Sequence, residues 1–123
     1  MKREIETGPQ TDKPFSSGIE TESLIFVSGQ GGIHNGKVVG SDLESQTIQT
    51  LENVLAVLKA AGLDFDNVVK VNVYLSDRGL YKDFNEIYER YFSKPYPSRT
   101  TVYCDLNYDL LVEIDAIAVK TGR

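Results

Sequence analysis

The chain has 123 residues, of which 41% are hydrophobic and 25% charged, a composition typical of a globular domain and unlike that of a disordered or fibrous chain. Its length predicts a single domain covering residues 1–123, large enough to bury a hydrophobic core of its own. Thirteen basic and eighteen acidic residues give a net charge of −5, which disfavours binding to nucleic acid or to an anionic membrane surface.

The cysteine and histidine content restricts the chemistry further. Cys104 is the only cysteine, so the chain forms no internal disulfide, and a reducing compartment is expected. Cys104 and the only histidine, His34, are too few to build a Cys/His zinc site, and we expect no metal. The first ten residues lack the apolar stretch of a secretory signal, and no apolar run reaches the roughly 20 residues of a membrane span. We therefore expect a cytoplasmic protein.

The first half of the sequence predicts short strands and one helix. Strands are expected at residues 2–7, 16–20, 24–29 and 37–39, the last two separated by a glycine-rich turn. Ser41 and Glu44 fit a capping box that begins the helix, and Gly62 stands where a helix C-terminal glycine is common. The apolar stripe of the helix follows the i, i+3, i+4 spacing and comprises Ile48, Leu51, Val54, Leu55, Leu58 and Ala61.

The second half predicts a strand, a helix and two closing strands. Residues 68–75 alternate, and one face of this strand is made by Val69, Val71, Val73 and Leu75. A helical apolar stripe runs from Leu80 to Phe92 and is ended by two prolines. The closing strands are expected at about 99–105 and 111–120. The order β-β-α-β-α-β-β is that of an α+β fold with two helices on one face of a sheet.

The last strand has one apolar face and one mixed face. Its apolar face comprises Val112, Ile114, Ala116 and Ala118. The opposite face carries Glu113 and Asp115 among aliphatic residues. Two helices cover only one face of a four- or five-stranded sheet, so the mixed face needs a partner. We expect an oligomer whose sheets pack together, with functional groups on or beside the mixed face.

Two polar residues on the closing strands are candidates for chemistry. Arg99 follows a two-proline turn and suits two-pronged capture of a carboxylate, with a structural salt bridge as the alternative. Glu113 lies on a partly apolar face, where burial raises a carboxyl pKa toward the range of a general acid or base. Its alternative is an ion pair with lysine or arginine, which is also our expectation for Asp115. Cys104 shares a face with Val102, so we expect it to be a small buried residue.

Six segments of the sequence, in order and at fitting intervals, carry a family resemblance. They are SLIFVSGQ, DLESQTIQTLENVLAVLKAAG, DNVVKVNVYLSD, FNEIYERYF, PSRTTV and LVEIDAIAV, within residues 14–120. Together they resemble the reactive intermediate/imine deaminase (Rid, YjgF-type) family. The resemblance implies a chorismate-mutase-like fold assembled as a homotrimer, with active sites between subunits. It also implies hydrolysis of enamines and imines, such as 2-aminoacrylate, to 2-keto acids and ammonia, without a metal or organic cofactor.

The resemblance assigns roles to individual positions. Arg99 corresponds to the family arginine that holds the substrate carboxylate, and Glu113 to the glutamate that orients or activates water. Further positions that correspond to the family site are Gly29, Thr101, Phe15 and Asn85. Gly29 matches a backbone contact to the ligand, whereas the resemblance gives Asn85 no clear role.

Two of these positions depart from the family pattern. Phe15, in the run PFSS, stands where many members have tyrosine, and losing the hydroxyl and a following glutamine could alter substrate choice or slow turnover. Thr101 stands where many have cysteine, so no thiol is available there for oxidation. Two other functions stay open: a non-catalytic trimer that binds small carboxylates, and a ribonuclease or translation inhibitor, which the net charge disfavours.

Overall fold

The computed structural model describes residues 1–8 and 12–120. Two helices are present in this part of the chain, α1 (Leu43–Ala60) and α2 (Tyr81–Tyr88), with short 3₁₀ turns at Phe65–Asn67 and Arg78–Leu80. The strands are β1 (Arg3–Ile5), β2 (Gly18–Glu20), β3 (Leu24–Gly31), β4 (Ile33–His34), β5 (Lys37–Val38), β6 (Val68–Leu75), β7 (Ser98–Tyr103) and β8 (Val112–Val119). No helix among these residues is long and apolar enough to cross a bilayer.

The main sheet has six strands in the order β1-β2-β3-β8-β6-β7. Every neighbouring pair is antiparallel except β6 and β7, which are parallel and are joined through α2. Both helices pack on one face of the sheet around a shared apolar core, and the α+β class with its two helices on one face is confirmed. The predicted element order β-β-α-β-α-β-β was one strand short, because three strands of the sheet precede α1, each overlapping one of the segments expected at 2–7, 16–20 and 24–29.

The glycine-rich turn before α1 contains a small hairpin of its own. β4 and β5 pair antiparallel across Asn35 and Gly36, whose φ angles are +53° and +78°. This left-handed pair is the backbone that a two-residue hairpin turn requires, and Asn-Gly adopts it readily. His34 is exposed beside the turn.

The start of α1 differs from the prediction by one residue. Asp42, not Ser41, is the N-cap, because the Asp42 carboxylate accepts a hydrogen bond from the Ser45 backbone N–H at 2.8 Å. The predicted capping box of Ser41 and Glu44 is therefore wrong. At the other end, Gly62 has the left-handed φ of +80° and donates to the Lys59 carbonyl, as expected of a C-terminal glycine.

The buried face of α1 is rotated from the predicted apolar stripe. Leu51, Val54 and Leu58 are buried as expected, but Ile48 and Leu55 are only half-buried. The other buried residues of the helix are Gln46, Thr47, Thr50 and Val57. Gln46 belongs to this face because its side chain bonds backbone groups of loops packed against it, whereas the Thr50 hydroxyl donates to the Gln46 carbonyl of its own helix.

β6 has the predicted bounds but not the predicted alternation throughout. Val71, Val73 and Leu75 are fully buried, as expected. The register against β8 shifts between Val68 and Lys70, so Val68 is buried and Val69 is 43% exposed. A bulge of this kind adds one residue and reverses the side-chain alternation on its far side.

The expectation of a buried Cys104 was wrong. β7 is one of the two edge strands of the sheet and ends at Tyr103, one residue before the cysteine. Cys104 is exposed, and Val102 points to the helix-free face. The alternation of β7 places Arg99 and Thr101 on the other side, in register with the buried Val71 and Val73 of β6.

Candidate active site

β8 divides its side chains between the two faces of the sheet. Val112 and Ile114 are buried against the helices, as are the alanines that follow. Glu113 and Asp115 are half-buried on the opposite, helix-free face. The predicted assignment of this strand to an apolar and a mixed face is thereby confirmed.

A cleft of about 730 Å³ lies next to Glu113. It contains three of the residues predicted for a site, Glu113, Gly29 and Phe15. The other residues that line it are Glu6, Thr7, Gly8, Lys13, Ser17, Ser28, Gln30, Gly31, Ile33, Asn53, Asn107, Tyr108 and Leu110. A concave volume of this size, with a half-buried carboxylate in its wall, is typical of a small-molecule site.

Gly29 lies directly under the Glu113 carboxylate. A Cβ at position 29 would collide with a Glu113 carboxylate oxygen and stand 3.1 Å from its Cδ. The register between β3 and β8 is interrupted at this point, between Val27 and Gln30, so the backbone of β3 bends beside the carboxylate. The absence of a side chain at Gly29 is therefore what lets Glu113 lie over β3 and reach the cleft.

The two carboxylates of β8 have different surroundings. Asp115 accepts hydrogen bonds from the Asn72 amide at 2.9 Å and the Tyr74 hydroxyl at 3.0 Å. The expected ion pair of Asp115 is therefore wrong, because both bonded partners are neutral. Burial raises the pKa of Glu113, and the negative charge of Asp115 raises it further. An ion pair with lysine or arginine would lower the pKa of Glu113, whereas this pKa is raised. The raised pKa therefore favours the acid–base interpretation of Glu113 over the structural one.

Side chains of α1 bond backbone groups of the segments that form or adjoin the cleft walls. The Asn53 amide donates to the carbonyls of Gly31 and Ile33, both at 2.9 Å. The fully buried Gln46 donates to Gly40 and Asp109 and accepts from the Leu111 backbone N–H. These residues were missed by the sequence analysis. The available signal was the presence of polar residues at helical spacing on the inward side of α1.

Hydrogen bonds donated to β1 and to the residue that follows it hold the PFSS segment at the cleft. The backbone N–H and hydroxyl of Ser17 donate to Glu6 at 3.3 and 3.2 Å, and the Ser16 hydroxyl donates to Glu4 at 3.3 Å. Glu4 and Glu6 also interact with each other, which raises the pKa of Glu4 and lowers that of Glu6. Phe15, which precedes the two serines, is 65% exposed.

Arg99 lies in a second group of residues, against α2. Its guanidinium donates to the Asn85 side-chain oxygen at 2.7 Å and lies 4.8 Å from the centre of the Tyr88 ring. The rings of Tyr81 and Phe84 are 5.8 and 5.5 Å away. The guanidinium is thus held between aromatic faces and one amide oxygen. These contacts fix its orientation but leave its other N–H groups for a ligand.

The helix α2 presents this aromatic surface. Phe84 and Tyr88 are buried, with ring centres 5.5 Å apart. Burial raises the pKa of Tyr88 to about 12, against the opposing influence of the nearby Arg99 charge. The buried Tyr88 hydroxyl makes no hydrogen bond of good geometry. Asn85, Tyr88 and Arg99 line a small cleft of about 260 Å³.

The two groups of residues do not meet within one chain. Arg99 lies on the helix side of β7, whereas Glu113 lies on the helix-free side of β8, with β6 between the two strands. Neighbouring strands are about 4.8 Å apart, so two strand spacings and the thickness of the sheet separate them. Thr101 is half-buried on the same side as Arg99, away from the cleft that contains Glu113. The described residues contain no group of three or more His, Cys, Asp or Glu side chains placed to hold a metal.

Comparison with known proteins finds relatives along nearly the whole chain. Residues 5–120 match the family model described as Endoribonuclease L-PSP. A RutC family protein of Saccharolobus solfataricus is 42% identical over 119 residues, covering 94% of each chain. The chloroplastic Reactive Intermediate Deaminase A of Arabidopsis thaliana is 38% identical over 124 residues, covering 96% of this chain and 66% of that protein. The crystal structure of E. coli TdcF with bound serine superposes with a TM-score of 0.88 at 32% identity, covering 97% of this chain and 99% of TdcF.

Proposed function

The chain belongs to the Rid (YjgF-type) family, and on that premise we propose that it hydrolyses 2-enamine and 2-imine acids, such as 2-aminoacrylate, to 2-keto acids and ammonia. Two relatives support this choice of reaction. One carries the name Reactive Intermediate Deaminase A, and the other, TdcF, has serine bound, a small molecule with a carboxylate beside an amine. The proposed reaction uses no metal or organic cofactor.

In the proposed mechanism Arg99 binds the substrate and Glu113 transfers protons. The Arg99 guanidinium, oriented by Asn85, donates charge-assisted hydrogen bonds to the α-carboxylate of the substrate. Glu113 accepts a proton from water as the water oxygen bonds to C2 of the imine, and the imine nitrogen takes a proton from solvent as its π bond breaks, which gives a carbinolamine. Glu113 then returns its proton to the nitrogen, and the C2–N bond breaks as the carbinol hydroxyl loses its proton to solvent and becomes the keto carbonyl. Ammonia and the keto acid leave. A positioned acid–base group of this kind contributes about 10²–10⁴-fold to the rate.

One observation carries the proposal that the working protein is an oligomer. Arg99 and Glu113 lie on opposite faces of the sheet, so one chain offers two half-sites and no complete one. A ring in which the Arg99 side of each copy meets the Glu113 side of the next would complete every half-site. We propose a homotrimer of this kind, with three equivalent sites between subunits and the helix-free sheet faces packed inward.

Two other functions make different predictions. A non-catalytic trimer would bind keto acids such as 2-ketobutyrate or pyruvate in the same clefts and leave imines unhydrolysed. A ribonuclease, which the description of the family model suggests, would need to bind a polyanion despite the net charge of −5. RNA affinity that falls steeply with salt would be its signature.

Complementation between two inactive variants tests the reaction and the shared site together. Arg99→Ala and Glu113→Gln are purified singly and also co-expressed with different affinity tags. An L-amino-acid oxidase generates the imine, and semicarbazide traps whatever is left unhydrolysed. Each variant alone should lose at least about 10²-fold in kcat/KM. Every mixed trimer has one site in three that pairs an intact arginine with an intact glutamate, so trimers purified through both tags should regain about a third of the wild-type activity.

The controls separate the possible failures. Size-exclusion chromatography with light scattering establishes that both variants keep the wild-type assembly. An Arg99→Ala protein with full deaminase activity would contradict the proposed mechanism. Inactive single variants that show no recovery on mixing, although mixed oligomers have formed, would place the site within one chain. Wild-type protein that hydrolyses no imine but binds keto acids would support the non-catalytic alternative.

A further inference from the structure

The cleft beside Glu113 is larger than the smallest imine acids require. A three-carbon imine acid has about six non-hydrogen atoms, which at the volume of a water molecule fill roughly 180 Å³. The cleft measures about 730 Å³, so such a substrate occupies about a quarter of it. Even when an arginine side chain of about seven non-hydrogen atoms enters from a second copy, about half of the space is left.

The walls of this space are apolar at four positions. Ile33 and Leu110 form a rigid part of this wall. The Ile33 carbonyl accepts a hydrogen bond from the Asn53 amide, and Leu110 packs closely on Gly31. A Cβ at Gly31 would stand 2.7 Å from a Leu110 methyl carbon, so this leucine has no room to retreat toward the strand. The apolar wall is therefore pre-formed.

Two aromatic side chains at the cleft edge complete the apolar surface. Phe15 is 65% and Tyr108 72% exposed, and both line the cleft. Tyr108 has a φ of +57°, which L side chains rarely adopt, in a turn closed by the Leu110 N–H and the Asn107 carbonyl at 3.3 Å. Strained backbone that persists beside a cleft is a feature of ligand sites. Exposed aromatic rings at a concave surface are stabilised when an apolar group of a ligand covers them.

We infer that Phe15, Ile33, Tyr108 and Leu110 form a side-chain pocket that selects imine acids with a bulky aliphatic side chain. The inference rests on the proposed function. It names the leucine-derived imine, 2-imino-4-methylpentanoate, as a better substrate than the alanine-derived 2-iminopropanoate. Water adds to the former to give 4-methyl-2-oxopentanoate and ammonia. The additional carbon atoms of its side chain lie against the four residues, while the reacting carbon lies near Glu113.

The test compares kcat/KM for these two imines, each generated by an L-amino-acid oxidase and followed by semicarbazide trapping. Wild-type protein should favour the leucine-derived imine by about tenfold, the lower end of what one or a few carbon atoms contribute in an apolar pocket. Phe15→Ser and Tyr108→Ser should each reduce that ratio several-fold. The matched variants Phe15→Leu and Tyr108→Phe keep the apolar bulk and should keep most of the ratio.

The outcomes separate this inference from the proposed function. A wild-type ratio at or below one, or a ratio unchanged in both serine variants, would overturn the pocket while leaving the deaminase intact. A wild-type protein that is inactive on every imine would contradict the proposed deaminase function. Calorimetric measurement of keto-acid binding would then test the pocket. In that case 4-methyl-2-oxopentanoate should bind about tenfold more tightly than pyruvate, and Phe15→Ser should remove the difference. Equal binding of the two keto acids would overturn the inference.

Discussion

Gly29→Ala is the smallest change that should displace the proposed catalytic carboxylate. The new Cβ would stand 3.1 Å from Cδ of Glu113 and collide with one of its oxygens. Because non-bonded carbon atoms prefer about 3.5–4.0 Å, the carboxylate has to retreat by roughly half an ångström or more. Misplacement on the scale of 1 Å costs about 10²-fold in rate when a reaction depends on positioning. We therefore expect kcat/KM to fall about 10²-fold.

The fold should tolerate this substitution. Gly29 is exposed and does not have a positive φ, so alanine causes no backbone strain there. Thermal unfolding should shift little, while the semicarbazide assay reports the loss of activity. Gly8→Ala is the matched control, because a Cβ at that position of the same cleft meets nothing within 4 Å, and its effect on kcat/KM should be much smaller.

A double-mutant cycle gives the decisive result. If the alanine acts only by moving Glu113, then Gly29→Ala added to Glu113→Gln should lower the residual activity by far less than 10²-fold. A loss of the same size in both backgrounds would refute the reasoning, because the alanine would then act on something other than the carboxylate. A Gly29→Ala protein with unchanged kcat/KM would refute it as well.

Four further predictions concern residues around the two half-sites and the start of α1. Asn85→Ala frees the guanidinium that its amide oxygen holds at 2.7 Å, so KM for the imine should rise about tenfold while kcat falls less; a fall in kcat alone would contradict a positioning role. Glu113 acts as a base only when ionised, and its pKa is raised, so kcat/KM should increase with pH through a midpoint above the ordinary 4.5. Asp115→Asn removes a negative charge that contributes to this rise, and the midpoint should move to lower pH; a midpoint that stays or moves upward would show that the charge has no such influence. In chemical denaturation, Asp42→Ala should lower the free energy of unfolding by more than Ser41→Ala does. A larger effect of Ser41→Ala would support the capping box of Ser41 and Glu44 instead.

Local periodicity was enough to find most elements of the fold. The alternation of residues 70–75 and of the last strand defines strands, because in an extended chain every second side chain points to the same face of the sheet. It failed where a neighbour altered the register, as at Val69, whose exposure depends on a bulge against β8. Cys104 was misplaced for a related reason, since the end of β7 is set by its pairing with β6.

The candidate site was recoverable only in part. The mixed face of the last strand indicated Glu113, and the proline turn before Arg99 indicated a rigidly held cation. The residues that hold the backbone around the cleft were not recoverable from periodicity, because Asn53 and Gln46 look like ordinary polar positions on a helix until other segments are placed against them. Asp115 was expected to form an ion pair, and its neutral partners Asn72 and Tyr74 lie on a strand that pairs with β8 only after folding.

The sequence by itself determined the class of fold, its two helices and the uncovered sheet face, and it made Arg99 and Glu113 candidates whose roles came from the family resemblance. The fold features follow from the spacing of neighbouring side chains along the chain, which local geometry translates directly into faces. Only the tertiary structure decided that Gly29 makes room for Glu113, that Asn85 orients Arg99, and that the two charged residues lie on opposite sides of the sheet. Such relations depend on strand order and register, which join residues far apart in the chain and leave no periodic trace in the sequence.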